Sequence, residues 1–417
     1  DGFNNRNPRG AAAQARPNLN AMQEFKMEVS GFSAEYGRMA GGIMNMVLRS
    51  GTNQFHGDVF YYVRNNLIDS RSYFDPEKLK LNRHNFGATF HGPVYIPKLY
   101  NGRSRTFFMY SWERYHQLVG LTGLSHVPTP LERQGNFTQS LNQLGKPVNV
   151  TDPLNSNQPF PNNQIPASRY NPVSVNLLPY YPLPNRPGNY NYISTTNDKD
   201  TWDSHIIKID HRFNENNSVS YRYQVRFNDT SNPFAGENYL GNFGNLVDDK
   251  RSIMGLDYTH LFTPTFLMEF RTGFSRNTEY DSTVWAGRDM AKELGFVGST
   301  TDPDLLGFPR VTMTDYATIG STANMPVEFH VTDIQNGVKF TWVKSRHNMK
   351  WGFDLSRVRF NQPYFNNNRG TFNFQDRWTG HSMADFLLGM LQSATRNVGW
   401  SRNYMRAWSM GAYFNDD

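Results

Sequence analysis

Hydrophobic and polar side chains alternate along most of this chain. From residue 55 onward, stretches of roughly ten residues carry apolar side chains on every second position, separated by turn-rich or polar segments. The clearest runs over 218–227. There Val219, Tyr221, Tyr223, Val225 and Phe227 fall on one side, and Ser218, Ser220, Arg222, Gln224 and Arg226 on the other. A period of two places successive side chains on opposite faces of a strand, whereas a helix needs a repeat near 3.6. The length also matches the roughly 9–11 residues that a tilted strand needs to cross a bilayer.

The same period predicts ten strands, over 56–64, 84–94, 105–115, 203–213, 218–227, 251–262, 265–277, 331–343, 347–360 and from 405 onward. The connections between them sort by parity. Those after the odd-numbered strands are long. The second is the medium-length YIPKLYNGRS, and the fourth, sixth and eighth shrink to NENN, Thr263–Pro264 and KSRHN. An antiparallel sheet crossing a membrane must put alternate connections on opposite sides, so the odd ones are expected outside the cell and the even ones on the periplasmic side. A soluble β-sandwich offers no reason for that sorting. Within the ninth connection, MADFLLGML reads as a short helix.

Ahead of the strands, residues 1–20 are rich in Asn, Arg, Gly, Pro and Ala and read as loop. MQEFKMEVS and GGIMNMVLRS then read as short strands joined by FSAEYGRMA, with Gly41 and Gly42 making a tight turn into the second. SGTNQFHG, at 50–57, is a turn-rich connector. The opening residues carry no signal-peptide pattern and the last ones lie inside a strand pattern, so the chain is expected to be an internal piece of a longer protein.

Composition narrows the function classes. The 42 basic and 36 acidic side chains leave a net charge of +6, but the basic residues are scattered without a Lys/Arg run, which argues against a nucleic-acid surface. With no cysteine there is no disulfide framework, zinc–thiolate site or cysteine nucleophile. No apolar run approaches the ~18–20 residues of a membrane helix, but strands that cross hide their hydrophobicity in alternation. Aromatics recur near strand ends, at Phe60, Tyr61, Tyr62, Phe107, Phe108, Tyr258, Trp342, Trp351 and Trp408. Girdles at the headgroups of a bilayer would place them there, although an ordinary β core also favours aromatics.

Candidate chemistry is sparse. His56, His84 and His91 lie near strand ends without HxxxH or HExxH spacing. Asp198, Asp200 and Asp203 offer oxygen ligands but lack the EF-hand order. Neither a phosphate-binding glycine loop nor a GxSxG nucleophile elbow occurs. No catalytic residue, metal or cofactor is expected, and the chain does not read as an enzyme.

The stretch QEFKMEVSGFSAEYGRMAGGIMNMVLRSGTNQFHGDVFYYVRNN resembles the plug-to-barrel junction of TonB-dependent outer-membrane receptors. More narrowly, it is similar to the Oar-like branch, which carries an N-terminal carboxypeptidase-regulatory-like domain. RHNFGATFHGPV, LYNGRSRTFFMYSWE, HVPTPLERQGNFT, PFPNNQIPASRYNPV and ADFLLGM are similar to that branch too, in its order. The resemblance implies an all-β fold: a transmembrane antiparallel β-barrel, about ten of an expected 22 strands being present, with the C-terminal part of a plug domain. Residues 1–54 would belong to the plug and 55–417 to the first part of the barrel with its long extracellular loops. Glu35, Tyr36, Gly37, Arg38, Gly41 and Gly42 would form a plug signature, and Ser50, Gly51, Thr52, Asn53, His56 and Gly57 the plug–barrel junction. Glu35 and Arg38 would be either a structural ion pair or part of a charge network between plug and wall that shifts in transport.

The implied partners are the TonB complex, through a segment upstream, outer-membrane lipid, and an extracellular ligand. That ligand would be a siderophore, oligosaccharide or peptide held by the loops at 114–202, 229–250, 278–330 and 361–404. The implied function is TonB-dependent active transport at the bacterial outer membrane. The alternative is a surface structural or adhesion protein of the same architecture without import.

Overall fold

In the computed structural model the alternation resolves into one ten-stranded antiparallel sheet in which sequence neighbours are also spatial neighbours. The structure describes residues 5, 17–29, 33–35, 42–71, 73, 78–141, 145–235, 238–399 and 401–417. A small N-terminal hairpin, β1 (Met22–Glu28) and β2 (Ile43–Leu48), precedes the wall. The wall strands are β3 (His56–Asn65), β4 (Leu81–Pro93), β5 (Thr106–Ser125), β6 (Tyr192–Asn214) and β7 (Asn217–Asn232). They continue with β8 (Asn245–Thr263), β9 (Phe266–Thr283), β10 (Val327–Lys344), β11 (His347–Tyr364) and β12 (Ser401–Asp416).

Each of the ten expected strands is present, but most are far longer than expected. β5 runs 20 residues and β6 runs 23. Alternation stops before the strands do. On β6 the outward positions Phe213, His211, Ile209, Ile207 and His205 are followed by Asp203, Thr201, Lys199 and Asn197. About nine residues at ~3.3 Å each, tilted by 35–45°, give an apolar band roughly 20–25 Å tall, close to that of a membrane barrel. Above it β6 carries mostly polar residues on both faces, which is why periodicity read that part of it as loop.

Register carries the apolar rows straight across the sheet. Phe90, Tyr110, Ile207, Tyr223, Met254, Phe274 and Ile334 are successive cross-strand partners on one face. Lower down, toward the tight turns, Phe266 packs with Phe262, Phe340, Trp342 and Trp351 at ring separations of 4.9–6.2 Å. The expected aromatic girdle is thus split by the alternation. Tyr61, Phe108, Tyr258, Trp342, Trp351 and Trp408 share the apolar face, whereas Phe60, Tyr62 and Phe107 fall in phase with the polar one.

The tight turns cluster at one end of the wall, between Asn214 and Asn217, Thr263 and Phe266, and Lys344 and His347. The long connections at the other end do not stay separate. Val127, Phe137, Ile165, Tyr181, Phe243, Met290, Phe308, Phe374, Met383 and Phe386 are buried in one shared core. Within this cap Arg310–Met313 pairs in parallel with Thr371–Phe374 and antiparallel with Tyr316–Ile319. MADFLLGM forms the expected helix, Ser382–Leu388, ended by Gly389 in the left-handed region. Among the described residues no helix is long and apolar enough to cross a membrane.

The two-faced wall makes a direct prediction. Ile209→Arg, mid-band on the apolar face, should destabilise the full-length protein in a phospholipid bilayer by roughly 2–4 kcal/mol in urea titrations. Asn197→Arg, on the same face of the same strand but above the band, should cost under about 1 kcal/mol. Equal costs at the two positions would contradict the band as drawn.

Candidate functional site at the face covered by the hairpin

The polar face of the wall is where chemistry concentrates, and the N-terminal segment lies against it. A short 3-10 turn, Leu19–Ala21, leads into β1 and is capped by Asn18, whose side-chain oxygen accepts from the Ala21 amide at 2.6 Å. The Asn18 amide donates to Ser111 on β5, which in turn bonds Thr89 on β4 at 3.1 Å. Met109 and Ile206 are apolar exceptions on this face, and they are buried against Ala21 and Leu48.

Charged groups surround that small apolar patch. Lys208 on β6 donates to the Leu48 carbonyl at 3.3 Å and lies 3.6 Å from Asp210, which accepts from the Ser50 hydroxyl. Arg49 pairs with Asp58 on β3 at 3.3 Å, and Asn20 donates to the same carboxylate at 2.8 Å. Far across the wall, Glu35 meets Lys339 on β10 at 3.4 Å, and Lys339 also holds Glu269 on β9 at 3.2 Å. Glu35 and Lys339 are less than a quarter exposed, so the pair is largely desolvated. The segment is therefore anchored at two distant places on the wall, mostly through polar contacts.

Of the expected signature, Glu35 is a wall contact through Lys339, and Gly42 precedes β2 where an added Cβ would come 3.1 Å from the Glu28 carbonyl. Tyr36, Gly37, Arg38 and Gly41 lie outside the described residues. The junction residues run along the turn end of the wall. Asn53 accepts from the Ser104 amide at 2.6 Å, Thr52 bonds the Gln54 carbonyl at 3.0 Å, and His56 stacks on its cross-strand partner His91 at 5.4 Å. Gly51 is held there by space. A Cβ would meet the Gly92 carbonyl at 2.4 Å and the Phe108 carbonyl at 2.8 Å, so the chain can cross the wall this closely only without a side chain. Gly57 pairs with Phe90 in the β3–β4 ladder.

Other candidates are dispersed. His84 accepts or donates with the Tyr61 hydroxyl at 2.6 Å, on the apolar face. Asp203 is bound by Arg114 at 3.1 Å and points away from Asp198 and Asp200, because one strand carries all three. Among the described residues no group of three or more His, Cys, Asp or Glu converges as a metal would require.

Sequence reasoning missed the polar framework of the cap. Thr129 and Glu132 form a reciprocal capping box in HVPTPLERQ, and Glu132 also accepts from Ser140 at 2.7 Å and Tyr316 at 2.9 Å. Burial pushes the Glu132 carboxyl up, but these donors outweigh it and hold the group below its usual range. Arg133 donates to four main-chain carbonyls, of Pro128, Leu178, Tyr181 and Pro182. Asn163 satisfies the Phe137 and Val148 carbonyls and the Val150 amide. Asp385, buried in the helix of the cap, accepts from Thr379 and Trp378, yet burial raises its carboxyl to about 6. Burial likewise holds the His381 imidazole below its ordinary value. The spacing T-x-x-E at Thr129 and Glu132, with Pro130 between them, was the one signal in the sequence that could have marked this framework.

Comparison with known proteins places these features. Residues 47–417 match the model of an outer membrane β-barrel domain. Over 108 residues the chain is 29% identical to the TonB-dependent transporter Oar of Myxococcus xanthus, covering 24% of this chain and 10% of that protein. Its fold is similar to that of the outer membrane transporter YddB from Escherichia coli, with a TM-score of 0.53 and 9% identity, over 99% of this chain and 45% of that one. The chain thus spans less than half the length of either.

Two predictions come from this geometry. Removing one partner of a desolvated pair strands the other, so Lys339→Met should cost about 1–3 kcal/mol and speed hydrogen exchange across β2. Combining it with Glu35→Gln should cost less than the sum of the two single changes. Strictly additive costs would show that the pair does not hold the segment.

In the cap, the raised Asp385 carboxyl favours the folded state fully below about pH 4, and that contribution is lost as pH rises through about 6. The depressed His381 acts oppositely, its contribution being full above about 6.5 and lost as pH falls. Asp385→Asn should therefore improve cap protection relative to the parent between pH 4.5 and 7.5, by at most about 2–3 kcal/mol in hydrogen exchange of Ser382–Leu388. A pH-independent difference would disprove the assignment.

Proposed function

This chain belongs to the outer membrane β-barrel domain family and resides in the bacterial outer membrane, and from that premise we propose that it is part of a TonB-dependent active transporter. Residues 1–54 are the end of the plug that closes the lumen, and 55–417 are the first strands of the barrel with their extracellular connections. The observation that carries this reading is the way the N-terminal segment is held. Its anchors on the polar wall are mainly ion pairs and hydrogen bonds, with a small apolar contact at Ala21, Leu48, Met109 and Ile206. Such contacts are replaced by water with little net cost, whereas a large apolar interface would resist extraction.

In this mechanism Glu35, Tyr36, Gly37, Arg38, Gly41 and Gly42 sit in the part of the plug that must move. Ser50, Gly51, Thr52, Asn53, His56 and Gly57 are the fixed end from which it swings. The TonB complex pulls on a segment upstream, and a scarce siderophore, oligosaccharide or peptide enters from outside. The 29% identity to the Oar transporter supports this reading. No covalent chemistry is involved.

The cored cap favours a second reading, a surface structural or adhesion protein without import, because a prefolded cap makes a stable display surface. One experiment separates the two. Deleting the TonB-contacting segment from the full-length protein should abolish growth or uptake that depends on it and leave surface attachment intact. Uptake that persists without that segment would end the transporter reading.

A further inference from the structure

The apolar face of the wall ends, on its long-connection side, in an uneven distribution of charge. On β5–β7 the outward basic groups are neutralised: Arg114 pairs with Asp203 at 3.1 Å and Lys199 with Asp229 at 2.5 Å. On β9–β12 four arginines are not. Arg276, Arg359 and Arg406 share the cross-sheet row of His205 and Val225, the uppermost row of the apolar band, and Arg357 lies one row lower beside Trp408. Among the described residues none of these four has a carboxylate partner. Glu328, the outward acid on β10, is taken by His330 at 2.9 Å.

Like charges are crowded within the patch. Arg359 and Arg406 are direct cross-strand partners, which sets like charges roughly 5 Å apart at Cβ and destabilises the pairing unless an anion lies between them. Arg406 reaches only partly inward, to the Phe360 and Met405 carbonyls. Arg357 stacks over Trp408, its cross-strand partner, at 4.8 Å. A tryptophan at this height marks the boundary between acyl chains and headgroups. Guanidinium pairs are suited to phosphate, which they grip with parallel N–H donors.

We propose that Arg276, Arg357, Arg359 and Arg406 form a binding patch for the phosphate groups of an anionic lipid in the outer leaflet, with Trp408 against its acyl–headgroup boundary. The occupant is a membrane lipid rather than free phosphate or an acidic protein. The patch continues directly from the apolar band, so a molecule bound there must have both a phosphate and a hydrocarbon part. This assignment rests on the membrane placement and is independent of whether the protein imports anything.

The test uses the full-length protein in detergent, incubated with lipopolysaccharide or with the same glycolipid stripped of its phosphates, and then washed. Retained lipid is measured by mass spectrometry. The parent protein should retain the phosphorylated form, and Arg359→Gln with Arg406→Gln should lower that retention roughly tenfold. Arg359→Lys with Arg406→Lys, which keeps the charge but loses the parallel donors, should lower retention by less than the Gln pair does. Arg114→Gln, in the neutralised half of the wall, should bind as the parent does.

Unchanged retention in the double Gln variant would overturn the proposal, as would equal loss in the Gln and Lys variants. Equal retention of the phosphate-free lipid would reduce the patch to an apolar contact and overturn it too. Displacement of the lipid by inorganic phosphate at equal concentration, or preferential capture of an acidic protein, would replace the lipid with another occupant.

Discussion

Backbone hydrogen bonding in hydrocarbon is the constraint on which the rest of this structure depends. No water competes there, so each amide and carbonyl must find its partner on the neighbouring strand. The ladder obeys this across the apolar band. Between β6 and β7 the register runs unshifted from Lys199 and Ser231 to Arg212 and Ser218, and the irregularity follows only at the turn. Between β8 and β9 the shift likewise falls at Leu261 and Thr263, beside the turn. Once register is locked, strict alternation does the remaining sorting: a row such as Ile207, Tyr223 and Met254 faces lipid because its neighbours one residue away cannot.

That sorting determines what the other face can hold. A polar wall cannot grip its contents by burying large apolar areas, so the N-terminal segment is fastened by Asp58, Asp210, Lys208 and Lys339. Two of the inward apolar side chains, Met109 and Ile206, sit under Ala21 and Leu48. They are the part of the wall shaped for the segment. Polar anchoring is also reversible anchoring, because water can take the place of each contact.

Above the lipid the constraint lifts and a different physics takes over. Water is present on both faces of the wall, strands lengthen without an apolar rhythm, and the long connections gain enough chain to bury their own core. The core needs polar support because so much of its backbone is irregular. Arg133, Asn163 and Glu132 satisfy carbonyls and amides that no helix or sheet would. HVPTPLERQGNFT and PFPNNQIPASRYNPV, which looked like markers of kinship, are in physical terms the joints of the cap.

By itself the sequence determined the strands, their number, their faces and the sorting of connections by length. Those follow from local rules: a period of two, and turns too short to do anything but reverse the chain. It pointed to Glu35 and to the SGTN connector, although through resemblance rather than through any visible contact. Only the tertiary structure decided that Glu35 meets Lys339, 304 positions away in the chain, that Gly51 is forced by the Gly92 and Phe108 carbonyls, and that Arg359 faces Arg406. The cap was the least legible part. Its core joins Phe137, Phe308 and Phe386 from separate connections, and its parallel pair joins 310–313 to 371–374. Contacts so distant in the chain leave no periodic trace, because each residue answers to neighbours that the local pattern does not contain.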